Sequence, residues 1–349
     1  MNNNNNIPSF MVRVSCMTFN HAQYIKDAMN GFCMQETNFP FVCTIIDDAS
    51  TDGEPGVIKH YLEEHFDLED HAIVRNEETD DYVLTFAQHK MNKNCYFAVL
   101  YLKYNHFSVK KSKTPYIQEW QDQVKYIALC EGDDYWITID KLQMQVDYLE
   151  SNDRCYLCGT NGLVLWEGAT QNPHYFKNDF VSHWYSVEDI LGYWAFPTAS
   201  LVVKASVYEN YPEWTKKIYS GDMTLILICA HKSNGVYSFG NITCVYRRDT
   251  ISSASLSMKT SCIKVIEHHI MLYEEFNKYT DFQYVRSVNK QIDYEKVQLK
   301  YVKLRNKSSI LPWIIMPQYC MKISYMRLRN FFHKPKNAFF VIRVHYYKS

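Results

Sequence analysis

Residues 41–53 read Phe41-Val42-Cys43-Thr44-Ile45-Ile46-Asp47-Asp48-Ala49-Ser50-Thr51-Asp52-Gly53. The first six form a short, nearly continuous apolar run, the pattern of a strand buried on both faces. The rest is a polar turn. Pro55 then opens a helix whose Ile58, Tyr61 and Leu62 recur at helical spacing. A fully buried strand that runs straight into a helix belongs to an α/β layer architecture.

Upstream, residues 11–17 read as a first strand. Asn20 is placed to cap a helix carrying Ile25, Ala28, Met29 and Phe32. Downstream, residues 71–75 are a weaker third strand. The stretch 76–122, with a mixed segment at 95–104 and a basic loop Lys110-Lys111-Ser112-Lys113, resists assignment. Residues 126–130 are a clear strand, which runs into Glu131-Gly132-Asp133-Asp134-Tyr135-Trp136. Leu142, Val146 and Leu149 mark the next helix. This alternation predicts a mostly parallel central sheet flanked by helices. Ligands of such sheets sit at the carboxyl ends of the strands, where both acidic clusters lie. Beyond 150, residues 163–166, 200–203, 236–239 and 243–246 read as strands. Ser186-Val187-Glu188-Asp189 reads as a capping box, Gly221-Asp222 as a helix start, and 257–307 as helical.

With 349 residues, 47% hydrophobic and 21% charged, the chain reads as soluble and globular. No apolar run is long enough to span a bilayer. Met1 is followed by five asparagines rather than an apolar leader, so a cytoplasmic location with free thiols is expected for the eleven cysteines. Cys155 and Cys158 have no second pair at zinc spacing and read as core. The formal net charge of −1 is uneven: from Lys296 onward there are twelve Lys/Arg and no Asp/Glu.

Adjacent carboxylates at a strand end, Asp133 and Asp134, suit Mg2+ or Mn2+, which binds one or two carboxylates and completes its shell with phosphate oxygens and water. The same pair also suits an ordinary Asp-rich surface turn. At Asp47-Asp48 two readings stand level: a carboxylate accepting a nucleobase N–H, with Thr18, Phe19 and Asn20 lining the base, or Asp48 and Ser50 organising a turn. Asp222 reads as a helix cap or as a general base, and spacing alone favours the cap.

Taken together, Val14 through Asn20, Tyr24-Ile25, Gln35, Ile45 through Gly53, Ala128 through Trp136, Lys141-Leu142, Gln145, Ser220-Gly221-Asp222 and Tyr246-Arg247 resemble the family 2 glycosyltransferases, inverting enzymes with the GT-A fold. The likeness covers roughly residues 9–255. It implies a nucleotide-binding half at 9–150 and an acceptor half at 151–255, after an Asn-rich leader at 1–8 and before a helical, basic extension at 256–349. It implies sugar transfer from a nucleoside-diphosphate donor, a UDP-sugar above others, to a glycan or lipid-linked acceptor hydroxyl. Thr18, Phe19, Asn20, Asp48, Ser50 and Asp133 would hold the nucleotide, with Asp48 on the uracil N–H. Asp134 would hold the metal, Asp222 would be the base, and Trp136 would lie on the acceptor side. Tyr246 and Arg247 would begin a loop over the donor, although Arg248-Asp249 stands where the family carries a His. The alternatives are a sugar nucleotidyltransferase, which would want a Gly-rich phosphate loop that 14–20 lacks, and a non-catalytic nucleotide-sugar scaffold. The basic and aromatic residues 312–349 suit contact with the inner face of an anionic membrane, and no nucleic-acid module accompanies them.

Overall fold

The computed structural model describes residues 8–70, 73–168, 173–248 and 262–321. The strands are β1 Val12–Thr18, β2 Phe41–Asp47, β3 Phe66–Asp67, β4 Arg75–Glu78, β5 Tyr82–His89, β6 Cys95–Leu102, β7 Tyr126–Leu129, β8 Tyr135–Trp136, β9 Leu157–Trp166, β10 His174–Tyr175, β11 His183–Tyr185, β12 Val202–Lys204 and β13 Val236–Arg248. The helices are α1 Ile25–Cys33, α2 Glu54–His65, α3 Thr114–Gln121, α4 Lys141–Ser151, α5 Val187–Ile190, α6 Gly221–Ser233, α7 Cys262–Tyr279, α8 Val285–Lys307 and α9 Leu311–Ile315. They fall into two compact units. The first is drawn from Met1–Phe176, Phe196–Asn210 and Tyr237–Ser253, the second from Lys177–Ala195, Tyr211–Val236 and Ala254–Ser349.

The first unit is built on a sheet ordered β13-β9-β12-β7-β1-β2-β6-β5-β3. Its centre, β7-β1-β2-β6, is parallel, and antiparallel strands β12 and β5 flank it. All seven residues of β2 are buried, as its apolar run demands. Chain order reverses at β1, which has β2 on one side and β7 on the other; that switch point is where an open α/β sheet leaves a crevice. Thr18 pairs with Asp47 and Asp47 with Tyr101, so three strands end flush. Helix α1 lies close against β8: a Cβ on Gly31 would stand 2.8 Å from the Trp136 amide nitrogen.

Several expectations need correction. The unassigned stretch after 76 contains the fully buried strand β6 and its antiparallel partner β5. The strand expected at 71–75 is instead β4, which begins at Arg75, and residues 71–72 lie outside the described part. The two strands expected at 236–239 and 243–246 are one, β13, with irregular register between Ser238 and Cys244. Cys155 and Cys158 are buried free thiols.

In the second unit, α6 carries an uninterrupted buried run from Thr224 to Ala230 and ends at Asn234, whose left-handed φ of 55° stops the helix. The capping box is present: Ser186 Oγ accepts the Asp189 amide while the Asp189 carboxylate accepts the Ser186 amide. Among the described residues, no helix is long and apolar enough to cross a membrane. The leader residues 1–7, the segment 249–261 and the tail beyond 321 lie outside the described residues.

Candidate active site

The loops after β1 and β2 are laced together by short polar side chains. The Asp48 amide donates to the Thr18 carbonyl at 3.0 Å. The Asn20 amide donates to Ser50 Oγ, and Asn20 Oδ1 accepts from the Thr51 amide, each at 2.8 Å. Asn20 therefore caps no helix. It sits in the left-handed region at φ 56°, which asparagine tolerates. The first turn of α1 is held by the His21 carbonyl, which accepts the amides of Tyr24 and Ile25 at 2.8 and 2.9 Å.

Beneath these loops lies Glu54, fully buried at the start of α2. Its carboxylate accepts the Thr18 hydroxyl, the His21 amide at 2.9 Å and the Ser50 hydroxyl at 2.8 Å. A buried carboxylate persists only when its lone pairs are used, and here three donors use them. The hydroxyls of Thr18 and Ser50 are thereby committed to the scaffold, while Phe19 stays partly exposed.

Asp48 is likewise engaged. One oxygen accepts the His106 amide at 2.7 Å; the other accepts the Phe107 amide at 3.1 Å and pairs with Lys113 Nζ at 2.9 Å. The Asn105 amide side chain donates to the Asp48 carbonyl at 2.9 Å. The carboxylate expected on a nucleobase thus anchors the segment that precedes α3, and a base could meet it only by sharing or displacing these donors.

The turn after β7 carries the acidic cluster. The Gly132 amide donates to the Met17 carbonyl at 3.0 Å. A Cβ at Gly132 would fall 2.1 Å from Thr18 Oγ1 and 2.6 Å from its Cβ, so only glycine lets the turn come this close. Asp134 is 1% exposed. Its Oδ1 accepts the Arg247 amide at 2.8 Å, while its Oδ2 is buried with no hydrogen-bond partner. Burial first, then the charges of Asp133 and Glu131, push its pKa well above the usual carboxylate range, and Arg247 works against them. The Arg247 guanidinium donates to the Asp133 carbonyl at 2.8 Å and pairs with Asp27. It lies over the rings of Tyr135 and Tyr24, at 4.5 and 5.1 Å.

Tyr246 and Arg247 are residues of β13 rather than the start of a loop, and the loop expected after them lies in 249–261. Trp136 cannot form an acceptor wall. It is 1% exposed, donates Nε1–H to the Ala199 carbonyl at 2.7 Å, and packs edge-on against Phe32. Asp222 belongs to the second unit. It lies in the first turn of α6, where Ser220 holds the cap position, and its Oδ1 accepts the Met223 amide at 2.8 Å.

The donor set fits a hard divalent cation. An orphaned buried oxygen on Asp134 beside two more acidic residues is stabilised by positive charge. Among the described residues no group of three or more His, Cys, Asp or Glu is assembled to hold a metal.

Sequence reasoning passed over Glu54, His21 and Lys113. Glu54 carried only a helix-start signal, and its bond to Thr18 spans 36 positions. His21 is a lone histidine with no spaced partner. Lys113 stood in the basic loop without any mark of what it would meet.

No family model matches the chain. Over 159 residues, 46% of its length, it is 28% identical to an uncharacterized protein of Mycobacterium tuberculosis and to one of Mycobacterium bovis. The match spans 37% of those relatives, little more than a third of their length. Among solved structures, the chain resembles a mannosyltransferase from Pyrobaculum calidifontis in complex with GDP-Man and Mn2+, with a TM-score of 0.53, 10% identity, and coverage of 97% of this chain and 85% of that one. It also resembles S. aureus TarS 1–349, with a TM-score of 0.50, 10% identity, and coverage of 91% and 78%. At these identities the likeness speaks to architecture: the chain has the GT-A-type α/β fold of glycosyltransferases, a mostly parallel central sheet flanked by helices.

Proposed function

We propose that the chain transfers a sugar from a nucleoside-diphosphate donor, a UDP-sugar by preference, to an acceptor hydroxyl of a glycan or lipid-linked glycan, with inversion. The observation that carries this reading is the Asp134 carboxylate, buried at a strand end with one oxygen unsatisfied and its neighbours acidic. Keeping such a group costs stability unless a cation meets it. The Pyrobaculum neighbour, bound to GDP-Man and Mn2+, supports a nucleotide-sugar and a divalent ion in this architecture.

In this reading Asp134, with Asp133, holds Mn2+ or Mg2+. When bound, the cation neutralises charge on the diphosphate leaving group. Arg247 fixes the acidic turn through the Asp134 carboxylate and the Asp133 carbonyl. Thr18, Phe19, Asn20 and Ser50 form the nucleoside side, with Asp48 holding the adjoining segment in place. The acceptor hydroxyl must lose a proton, and Asp222 is assigned as its base on motif order.

The test is a screen of nucleotide sugars for Mn2+-dependent release of nucleoside diphosphate. Steady turnover is expected. Binding without turnover would leave a nucleotide-sugar scaffold in place of an enzyme. Asp222→Asn should keep donor binding while turnover drops by roughly 10²–10⁴, the range of a positioned base. Unchanged turnover would remove Asp222 from the mechanism.

We also propose an anionic membrane surface as a partner. Lys296, Lys300 and Lys307 are exposed on α8, and a cleft lined by Lys296, Leu299, Lys300, Lys303, Leu304 and Lys307 mixes cationic and apolar atoms. Just beyond it, Ile310, Trp313 and Ile314 are half or more exposed. Lysines beside exposed aromatic and aliphatic groups suit a headgroup layer, each basic residue near it contributing about 1 kcal/mol. Flotation with phosphatidylglycerol vesicles, but not with phosphatidylcholine vesicles, is expected, with Lys296→Glu/Lys300→Glu losing it. Equal flotation of wild type and variant would remove the idea.

A further inference from the structure

The proposed donor site uses the carboxyl ends of the parallel strands, and their amino ends carry a second opening. Strand β7 begins at Tyr126, and the acidic turn follows its far end, so the two lie at opposite edges of the sheet, about 10 Å of strand apart. Beside Tyr126 lies a cleft of about 720 Å³. Its walls come from α3, the end of α4, and the end of β12 with the turn after it, all parts of the first unit.

The lining mixes donors and acceptors that the fold has already oriented. Arg13, 3% exposed, donates to Gln121 Oε1 at 3.2 Å, which spends the amide oxygen and leaves its NH2 to the cleft. Tyr126 donates to Glu150 Oε1 at 2.7 Å and fixes that carboxylate. Lys204 donates to the Asp153 carbonyl at 2.7 Å and keeps further ammonium hydrogens. The carboxylates of Asp153 and Glu209 are exposed and make no hydrogen bond or ion pair among the described residues. Ser206 adds a hydroxyl and Tyr208 an aromatic ring.

These groups narrow the occupant. The carboxylates of Asp122, Glu150, Asp153 and Glu209 outnumber Lys125 and Lys204, so a phosphate or other anion is repelled. A cation suits the carboxylates but offers nothing to the Gln121 and Lys204 donors. Hydroxyl groups both donate and accept, and so satisfy the whole set. A ligand dense in hydroxyls, with C–H faces for a tyrosine ring and a bulk that fills a cleft of this size, is an oligosaccharide.

We infer that this cleft binds a neutral oligosaccharide, the part of an acceptor glycan remote from the reacting hydroxyl. The inference rests on the sugar-transfer reading above and makes the acceptor a chain of sugars rather than a single one. A glycan anchored here presents its reacting end at a raised effective concentration.

The experiment is calorimetric titration of the full chain with neutral oligosaccharide ladders of glucose, mannose, galactose and N-acetylglucosamine. At least one ladder should bind, more tightly as its length grows. Ser206→Trp fills the cleft, and Asp153→Ala/Glu209→Ala removes two exposed acceptors. Each should weaken binding by about 10-fold or more, with the melting temperature and Mn2+-dependent binding of UDP or GDP unchanged. Binding of no ladder, or equal binding by wild type and both variants, overturns the cleft assignment, while nucleotide binding in the same samples leaves the transfer reading standing. Binding of tetralysine in place of every ladder would make the cleft a seat for a basic peptide and overturns the assignment as well. Oligosaccharide binding that the variants lose, in a chain that binds no nucleotide, upholds the glycan cleft and overturns the transfer reading.

Discussion

Two strand ends of the central sheet carry paired aspartates that look alike in sequence and differ in the fold. At the end of β2, the Asp47 carboxylate accepts the Ser50 amide, and Asp48 accepts two amides and a lysine. At the end of β7, Asp134 is buried as deeply, yet one of its oxygens meets no donor. The first end is closed by the protein's own hydrogen bonds. The second is left incomplete, at an energetic cost that a charged ligand of the proposed kind would offset. Paired acidic residues are therefore a poor guide until the donors around them are counted.

Substitutions that act oppositely at the two ends would sharpen the contrast. The largest effect is expected at Asp134→Asn: nucleotide-sugar turnover should fall by about 100-fold or more, while the cation-free fold becomes more stable because a buried acidic group beside Asp133 and Glu131 is gone. Loss of both activity and stability would place Asp134 with the structural carboxylates. Asp48→Ala should do the reverse to the fold, leaving the amides of His106 and Phe107 and the Lys113 ammonium unpaired. A loss of about 2 kcal/mol is expected, with faster proteolysis in 105–113. Urea denaturation measures the first and limited digestion the second, and an unchanged midpoint would refute the anchoring role.

A smaller, pH-dependent effect belongs to Asp47. Burial, with Glu54 and Asp48 adding, pushes its carboxyl up to about 6 despite the Ser50 contact. A raised folded pKa means the native chain holds more protons than the unfolded chain between the usual carboxylate range and that value. Stability from this group is therefore present in acid and lost as pH rises through the window. Asp47→Asn should gain on wild type as pH goes from about 4 to about 7, and an advantage independent of pH would contradict the assignment. The smallest effect is expected at Ala49, which holds a left-handed φ of 60° between Asp48 and Ser50 in the turn after β2. Ala49→Gly should raise the melting temperature by the equivalent of less than about 1 kcal/mol.

The parallel core was legible because its signals are local: the apolar run of β2, the turn that follows it, and the acidic residues at the strand end. β6 was not legible although all eight of its residues are buried, because an apolar run flanked by polar loops does not announce its pairing. The long β13 reads in sequence as two strands, 236–239 and 243–246, because the polar break at Gly240 and Asn241 interrupts the apolar pattern; in the fold the break is an irregular stretch of one strand. In the site, sequence named the carboxylates but not their state. That Asp134 keeps an open oxygen while Asp48 does not depends on amides more than fifty residues away. Trp136 closes the motif that holds Asp133 and Asp134, and the resemblance implies the acceptor side for it, yet the close approach of α1 at Gly31 buries it.

The central claim is that Asp134 Oδ2 is kept for a cation that arrives with a diphosphate. Electron paramagnetic resonance of Mn2+ titrated into the chain, with and without UDP or GDP, tests it most directly. One tightly held Mn2+ per chain is expected when nucleotide is present, with much weaker binding without it and loss of that ion in Asp134→Asn. Retention of the nucleotide-linked ion in Asp134→Asn would contradict it.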